Sequence, residues 1–357
     1  MRSWFRLHPF VLLLIPLVCG ISVCRIAGIR LQGETYQFDV TQSQGYRVQQ
    51  QLLARYRYLG IEEEQMGTLG ALTLGYRDGI DRDMKQKFQA AGAMHVLAVS
   101  GLHTGILMSM LIWIFTLGGW YKPLYESHIH RAMVGYGVIL LLWLYACITG
   151  WSPSVVRSVI MCTIAMLATI YNRETISLNS WAAAAFCILA IRPVALFSVS
   201  FQLSFAAVLA IICFNPLLQR VLPIPVPWLR DLLTVSISAQ LGTLPFTMYY
   251  FSQFSTYFLL ANIIVIPMAY LILAMGILVQ VFGSLPLLGT VLVWIENKNV
   301  RLLNRSVQFI EQLPGSTIHM ELTMPMTIIL CVAIVVLCAM LSSFLSDSRE
   351  EFHIPFC

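Results

Sequence analysis

The side chains able to do chemistry in this sequence sit inside apolar surroundings, and they come in four groups. The first is AGAMHVLAVSGLHTGILMSM, residues 91–110. At a helical period Ser100, His103 and Thr104 share one face, and Gly101 and Gly105 form a small-residue strip beside it, so that this helix can pack closely while presenting polar atoms together. His95 stands about 140° around the axis from Ser100 and about 80° from His103, which does not make the two histidines a natural pair of metal ligands. Neither an HExxH motif nor a Ser-His-acid triad is visible. Two readings stay open for the histidines: hydrogen bonding to neighbouring helices, or, for His103 in the polar face above all, a place along a polar path, since polar groups at membrane depth are costly unless used.

The second group is TGWSPSVVRSVIM, residues 149–161. Ser152 suits a helix N-cap and Pro153 the first helical position, so the helix starts abruptly and Arg157 lies about one turn inside it. Ser154 and Ser158 leave a partly polar surface around that arginine. It is either a cation snorkelling to lipid headgroups or an inward-facing cation able to contact a phosphate. In the third group, RPVALFSVSFQLSFAAVLAI (192–211), Pro193 breaks one apolar run, and Ser198/Gln202 and Ser200/Ser204 are each one turn apart in the next. Interhelical hydrogen bonding and the lining of a wet cavity both fit. The fourth spans 238–269, where Pro245 deprives the Leu241 carbonyl of its donor and Pro267 does the same to Ile263. Freed carbonyls at depth need protein or water as partners, and Gln240, Gln253 and Asn262 are at hand.

The elements that must position these groups are membrane helices. The chain is 58% hydrophobic and 11% charged with a mean hydropathy of +0.76, against about 25% charged in a soluble domain. Its apolar blocks approach the roughly 20 residues needed to cross a bilayer. They fall near 9–28, 93–119, 132–149, 153–171, 179–192, 199–214, 235–250, 257–282 and 324–345. The expected fold is all-α, a polytopic transmembrane bundle of about nine spans. The stretch 286–313 has apolar positions at helical spacing with charges between, so it lies either in the interface or against the bundle. Arg2 and Arg6 favour a cytoplasmic N-terminus ahead of an uncleaved anchor helix over 1–29. Lys122, Arg131, Arg173, Arg220 and Arg230 then fall inside, and Arg192 on the wrong side. Residues 30–91 form a short extracytoplasmic segment, 92–345 the membrane domain and 346–357 a tail. Within 30–91, ETYQFDVT allows a short strand, YRVQQQLLARYRYLGIEEEQMGTL reads as one amphipathic helix with Arg47, Arg55 and Arg57, and LGYRDGIDRDMKQKFQAAGAMH reads as a charged helix leading straight into the second span. The basic, tyrosine-bearing helix is either an interfacial element or a nucleic-acid contact. Nine cysteines without a CxxC pair argue for apolar packing rather than zinc or disulfides. The net charge of +5 is small enough for anionic lipid alone to explain.

Taken together, HVLAVSGLH (95–103), TGWSPSVVRS (149–158), SFQLSFAAV (200–208), AQLGTLPFTMYYFSQFS (239–255) and ANIIVIP (261–267) resemble the membrane core of the ComEC competence family in order and spacing, over roughly residues 67–285. The resemblance implies an inner-membrane channel that passes a single strand of DNA, with membrane lipid around it and no cofactor. Fuller family members carry an oligonucleotide-binding-like domain and, in many cases, a metallo-beta-lactamase-like nuclease. Residues 30–66 are too few for the former, and no HxHxDH cluster stands for the latter. The expectation is therefore a channel module without catalytic chemistry, served by other DNA-uptake proteins, a separate nuclease and a cytoplasmic ATPase, since there is no GxxxxGK[ST] loop; homo-oligomerisation is compatible with it. Tyr249, Tyr250 and Phe254 offer either stacking surfaces or an interfacial belt. Two other functions stay open: a secondary transporter for a small solute, whose usual paired halves are not visible, and an intramembrane enzyme built on Ser100 and His103, which lacks a third partner.

Overall fold

The computed structural model describes residues 44–97, 101–116, 128–172 and 178–350, with side chains as far as Ser343. The expected anchor helix, the ETYQFDVT strand, Ser100 and the loops bearing Lys122 and Arg173 lie outside the described residues. Thirteen α-helices occur among those described: α1 (Gln44–Leu59), α2 (Glu63–Leu74), α3 (Arg82–Ala90), α4 (Met94–Leu97), α5 (Gly101–Phe115), α6 (His128–Ile148), α7 (Pro153–Ile170), α8 (Leu178–Ile191), α9 (Val199–Val221), α10 (Pro227–Phe251), α11 (Phe258–Phe282), α12 (Pro286–Glu311) and α13 (Met324–Glu350). A two-stranded ribbon pairs β1 (Gln253–Ser255) with β2 (Thr317–His319). Helices α6, α7, α9, α11 and α13 are long and apolar enough to cross a membrane, and α5 and α8 are shorter apolar helices. The fold is all-α and of the membrane type, and the protein is a membrane protein.

The described residues divide into two compact units, one drawn from 35–175 and 255–317, the other from 176–254 and 318–350. In the first unit, α1 to α3 pack with α11 and α12 around Tyr56, Leu69, Leu72, Phe88, Ile272 and Leu303, all fully buried or nearly so. Burying each such side chain stabilises by about 1.5–3 kcal/mol. A second cluster joins α6 to α7 through Val138, Leu142, Val155, Val159 and Ile170. Gly135 makes that crossing close: a Cβ there would stand 2.5 Å from Ile170 Cδ1. In the other unit α9 and α10 meet at Gly242, where a Cβ would lie 2.5 Å from both the Ala206 carbonyl oxygen and Ala210 Cβ. Trp181 on α8 donates to the Phe205 carbonyl at 3.0 Å, and Phe201 stacks on Phe205 with ring centres 4.2 Å apart.

Several local features differ from the sequence expectation. The single amphipathic helix expected over 46–69 is two helices, because the chain turns at Gly60 (φ 98°) and Ile61 donates back to the Tyr56 carbonyl. The second of these, α2, is buried from Gln65 to Leu74 apart from half-buried Gly67. It is a core element rather than a surface one. The charged helix α3 does not run into the next span, since Gly92 (φ 80°) turns the chain first. Residues 286–311 form one amphipathic helix, α12, whose buried positions Leu292, Val293, Glu296, Asn297, Val300, Leu303, Asn304, Val307 and Ile310 recur every three or four residues. The helix α13 continues to Glu350, into the expected tail.

Candidate functional site

The segment expected to begin abruptly does so. Thr149, Gly150 and Trp151 close α6, with Gly150 and Trp151 both left-handed (φ 68° and 56°), and Pro153 occupies the first position of α7. A left-handed tryptophan costs on the order of 1–3 kcal/mol and persists only where its surroundings hold it; its ring lies 6.1 Å from that of Trp143. Ser152 stands at the N-cap but makes no capping bond with its side chain, which lies 3.4 Å from the Ser154 hydroxyl instead.

Three helical residues and a loop arginine come together at this start of α7. Arg157, one turn in, is only 6% exposed. Ser158 donates to the Ser154 carbonyl at 2.8 Å, and a Cβ on Gly101 of α5 would stand 3.5 Å from the Ser158 hydroxyl. Above them Arg77 reaches in from the loop between α2 and α3, its Nη2 at 3.5 Å from the Ser154 hydroxyl. That loop is fixed by the left-handed Gly75 and by Gly79, which sits against the Tyr76 ring. Arg77, a like charge, lies close enough to act on Arg157. Partial burial pulls the Arg77 guanidinium below its ordinary value. Two guanidiniums within electrostatic reach of each other, the outer one beside the Ser154 hydroxyl, are complementary to an anion. Arg77 is exposed and Arg157 is not, so an anion arriving from solvent meets them in that order.

The other sequence candidates are placed as follows. His103 and Thr104 on α5 are fully buried, and Asn262 on α11 is nearly so. His95 lies on α4 at the surface of the described residues, its Nδ1 3.2 Å from the Gly92 carbonyl, and it is near enough to His103 for their charges to interact. Gly101 and Gly105 both depart from the expectation of a close-packing strip: a Cβ on Gly101 would meet the Ser158 hydroxyl at an ordinary contact distance of 3.5 Å, and among the described residues nothing lies within 4 Å of the Cβ position of Gly105. All of these belong to the first unit.

Gln202, Ser204, Gln240 and Gln253 belong to the other unit. Gln202 is fastened at both ends of its amide, donating to the Leu196 carbonyl at 3.1 Å and accepting from Tyr250 at 2.8 Å. Its amide makes the kind of interhelical bond that was one of the two readings open from the sequence. Ser204 is half-buried on α9 and Gln240 half-buried on α10, while Gln253 opens β1. Pro245 and Pro267 both sit inside their helices, α10 and α11. Arg77 is the functional candidate that the sequence did not single out. It lies 77 positions before its serine partner in the sequence, and nothing in the loop RDGID advertises the contact.

A bundle of apolar helices holding a buried guanidinium and hydroxyls at a helix start is a polytopic membrane protein with an anion-compatible polar site. Residues 72–345 match the family model described as Competence protein, and the chain belongs to that family. Among its curated relatives are ComE operon protein 3 of Bacillus subtilis (32% identical over 204 residues), YcaI of Escherichia coli (27% over 200) and Recombination protein 2 of Haemophilus influenzae (25% over 236). These alignments cover 57%, 55% and 64% of this chain but 25%, 26% and 29% of the relatives. The chain therefore spans about a quarter of the length of the curated relatives it matches. No solved structure matches it.

Proposed function

We propose that this chain is an inner-membrane conduit, or the membrane part of one, for uptake of single-stranded DNA during competence. The observation that carries the reading is the Arg77 and Arg157 pair around Ser154 and Ser158, inside a fold whose family model is that of a competence protein. A polyanion that must pass, rather than stay, calls for a few cations at the mouth and no deep electrostatic well. An outer exposed arginine followed by an inner buried one supplies that gradation: the first gathers phosphate, and the second holds it out of water for as long as the next phosphate takes to arrive. The chain itself does no bond chemistry in this reading. Strand degradation and the driving force fall to a separate nuclease and a cytoplasmic ATPase, and the N-terminus lies in the cytoplasm.

The test is genetic. In a transformable host, clean deletion of the gene abolishes transformation and the intact gene restores it, whereas uptake of a small solute is unaffected. Unchanged transformation frequency in the deletion strain refutes the competence role.

A further inference from the structure

Far along the first unit from the arginine pair in sequence, one carboxyl is buried where no cation answers it. Glu296 on α12 is fully buried, and neither of its oxygens makes a hydrogen bond of ordinary geometry among the described residues, although the Asn299 side chain on the same helix is near enough to ease its charge in part. Four helices converge on it. Gly276 on α11 has no side chain because none would fit: a Cβ there would stand 2.7 Å from Thr73 Cγ2 of α2, 3.0 Å from the Tyr56 hydroxyl of α1 and 3.5 Å from Glu296 Oε1. Tyr56 donates to the Gly276 carbonyl at 3.0 Å, and Gln280 donates to the Leu52 carbonyl at 2.9 Å, which leaves Gln280 Oε1 buried without a donor. The cluster is thus rich in acceptor oxygens and poor in protons.

The surrounding charges do not remedy this. On α1 the titratable group near the carboxyl is Tyr56, which Tyr145 of α6 also feels; Thr73 of α2 and Gly276 of α11 beside it do not titrate, nor does Gln280 of α11, which lies by Tyr56. Arg55 and Arg57 of α1 turn instead to Ser284 and Glu63. On α12 itself Lys298 lies over the Trp294 ring and Arg301 pairs with Glu62. Helix α3 meets the other end of α12, where Lys87 feels Glu311. An ionised carboxylate without a partner at such a place is costly, so the group keeps its proton.

We propose that Glu296 is a proton-exchange site whose neutral form clamps α1 and α2 onto α11 and α12, and whose loss of a proton to water opens that clamp. The step is a simple acid dissociation, with the carboxyl O–H bond broken and the proton passed to solvent as α1 and α2 lift. Burial pushes the Glu296 carboxyl up to about 8, the nearby amide of Asn299 offsetting part of the shift. In the open form the carboxyl faces water and titrates as an ordinary glutamate near 4.3. The closed form therefore holds the proton over the whole interval between the two values. Within it the opening equilibrium rises about tenfold per pH unit, and it levels off above the upper value.

The test uses the full chain in lipid nanodiscs without DNA, so its outcome is separate from that of the conduit proposal. Amide hydrogen exchange is followed over residues 44–74 from about pH 6 to pH 9, corrected for the intrinsic pH dependence of exchange. The expected result is that protection in the wild type falls about tenfold per pH unit to a plateau, while E296Q shows no such slope. Infrared difference spectra across the same range show the loss of one protonated-carboxyl band in the wild type only. Should E296Q fail to fold, Glu296→Leu serves the same comparison. The proposal is overturned if E296Q keeps the wild-type slope, if no carboxyl band titrates in that range, or if opening follows sodium concentration at fixed pH.

Discussion

Replacing Arg157 by alanine separates a phosphate-handling arginine from one that merely snorkels. A charge-assisted hydrogen bond contributes about 1.5–3 kcal/mol, and each 1.36 kcal/mol is a factor of ten. If Arg157, only 6% exposed, makes one such bond to a passing phosphate, R157A lowers transformation frequency by roughly 10- to 150-fold. R157E falls further, because a carboxylate at the same depth repels the strand it should attract. R157K keeps the charge but not the planar fork and lies between wild type and R157A. Arg77 is more exposed and its Ser154 contact is long at 3.5 Å, so R77A costs less, by a factor of a few. The assay is transformation with saturating homologous DNA, scored against immunoblots of the membrane fraction so that each variant is compared at equal protein. If R157A transforms within about threefold of wild type, or if R157E is no worse than R157A, the phosphate-contact reasoning is wrong.

Other substitutions test the packing around the site. Asn304→Ala removes the amide that accepts from Thr68 at 3.0 Å and donates to Gln65 at 3.2 Å, leaving two buried polar groups of α2 without partners; it lowers stability by about 2–4 kcal/mol, read by thermal unfolding in detergent. Gly276→Val forces a side chain into Thr73 and Tyr56 and costs about 1–3 kcal/mol, with α1 becoming accessible to protease. Gln202→Leu breaks the bonds to Leu196 and Tyr250 in the other unit and loses about 1–2 kcal/mol, while transformation at permissive temperature stays near wild type because the amide fastens helices.

The sequence conveyed the apolar architecture well because hydropathy is an average over many residues and forgives local error. The expected spans at 132–149, 153–171 and 257–282 correspond closely to α6, α7 and α11. Pro153 marked the start of α7 because its missing N–H and fixed φ act locally. Gly60 was harder to read: the apolar period continues on both sides of it, and only a left-handed residue shows that the axis has turned. The same averaging hid Glu296. Among Lys298, Arg301 and Arg305 it reads as one more solvated charge, and only the packing of α11 over α12 shows that it lies underneath. The candidate site was half legible. Arg157, Ser154 and Ser158 announce themselves by helical spacing, whereas Arg77 and Ser154 meet through tertiary structure that no local pattern encodes.

The discontinuity of the two units has a consequence for how the protein is made. Residues 255–317, the α11 and α12 hairpin, interrupt one unit in order to complete the other. On the ribosome, α1 to α3 emerge with their apolar faces uncovered and wait about 200 residues for α11 and α12 to arrive, while α9 and α10 wait for α13, which packs on both. Nascent chains halted before residue 255 should therefore hold a hairpin that is fully synthesised yet open to protease, and a chain that ends before α13 should be a preferred target for membrane quality control.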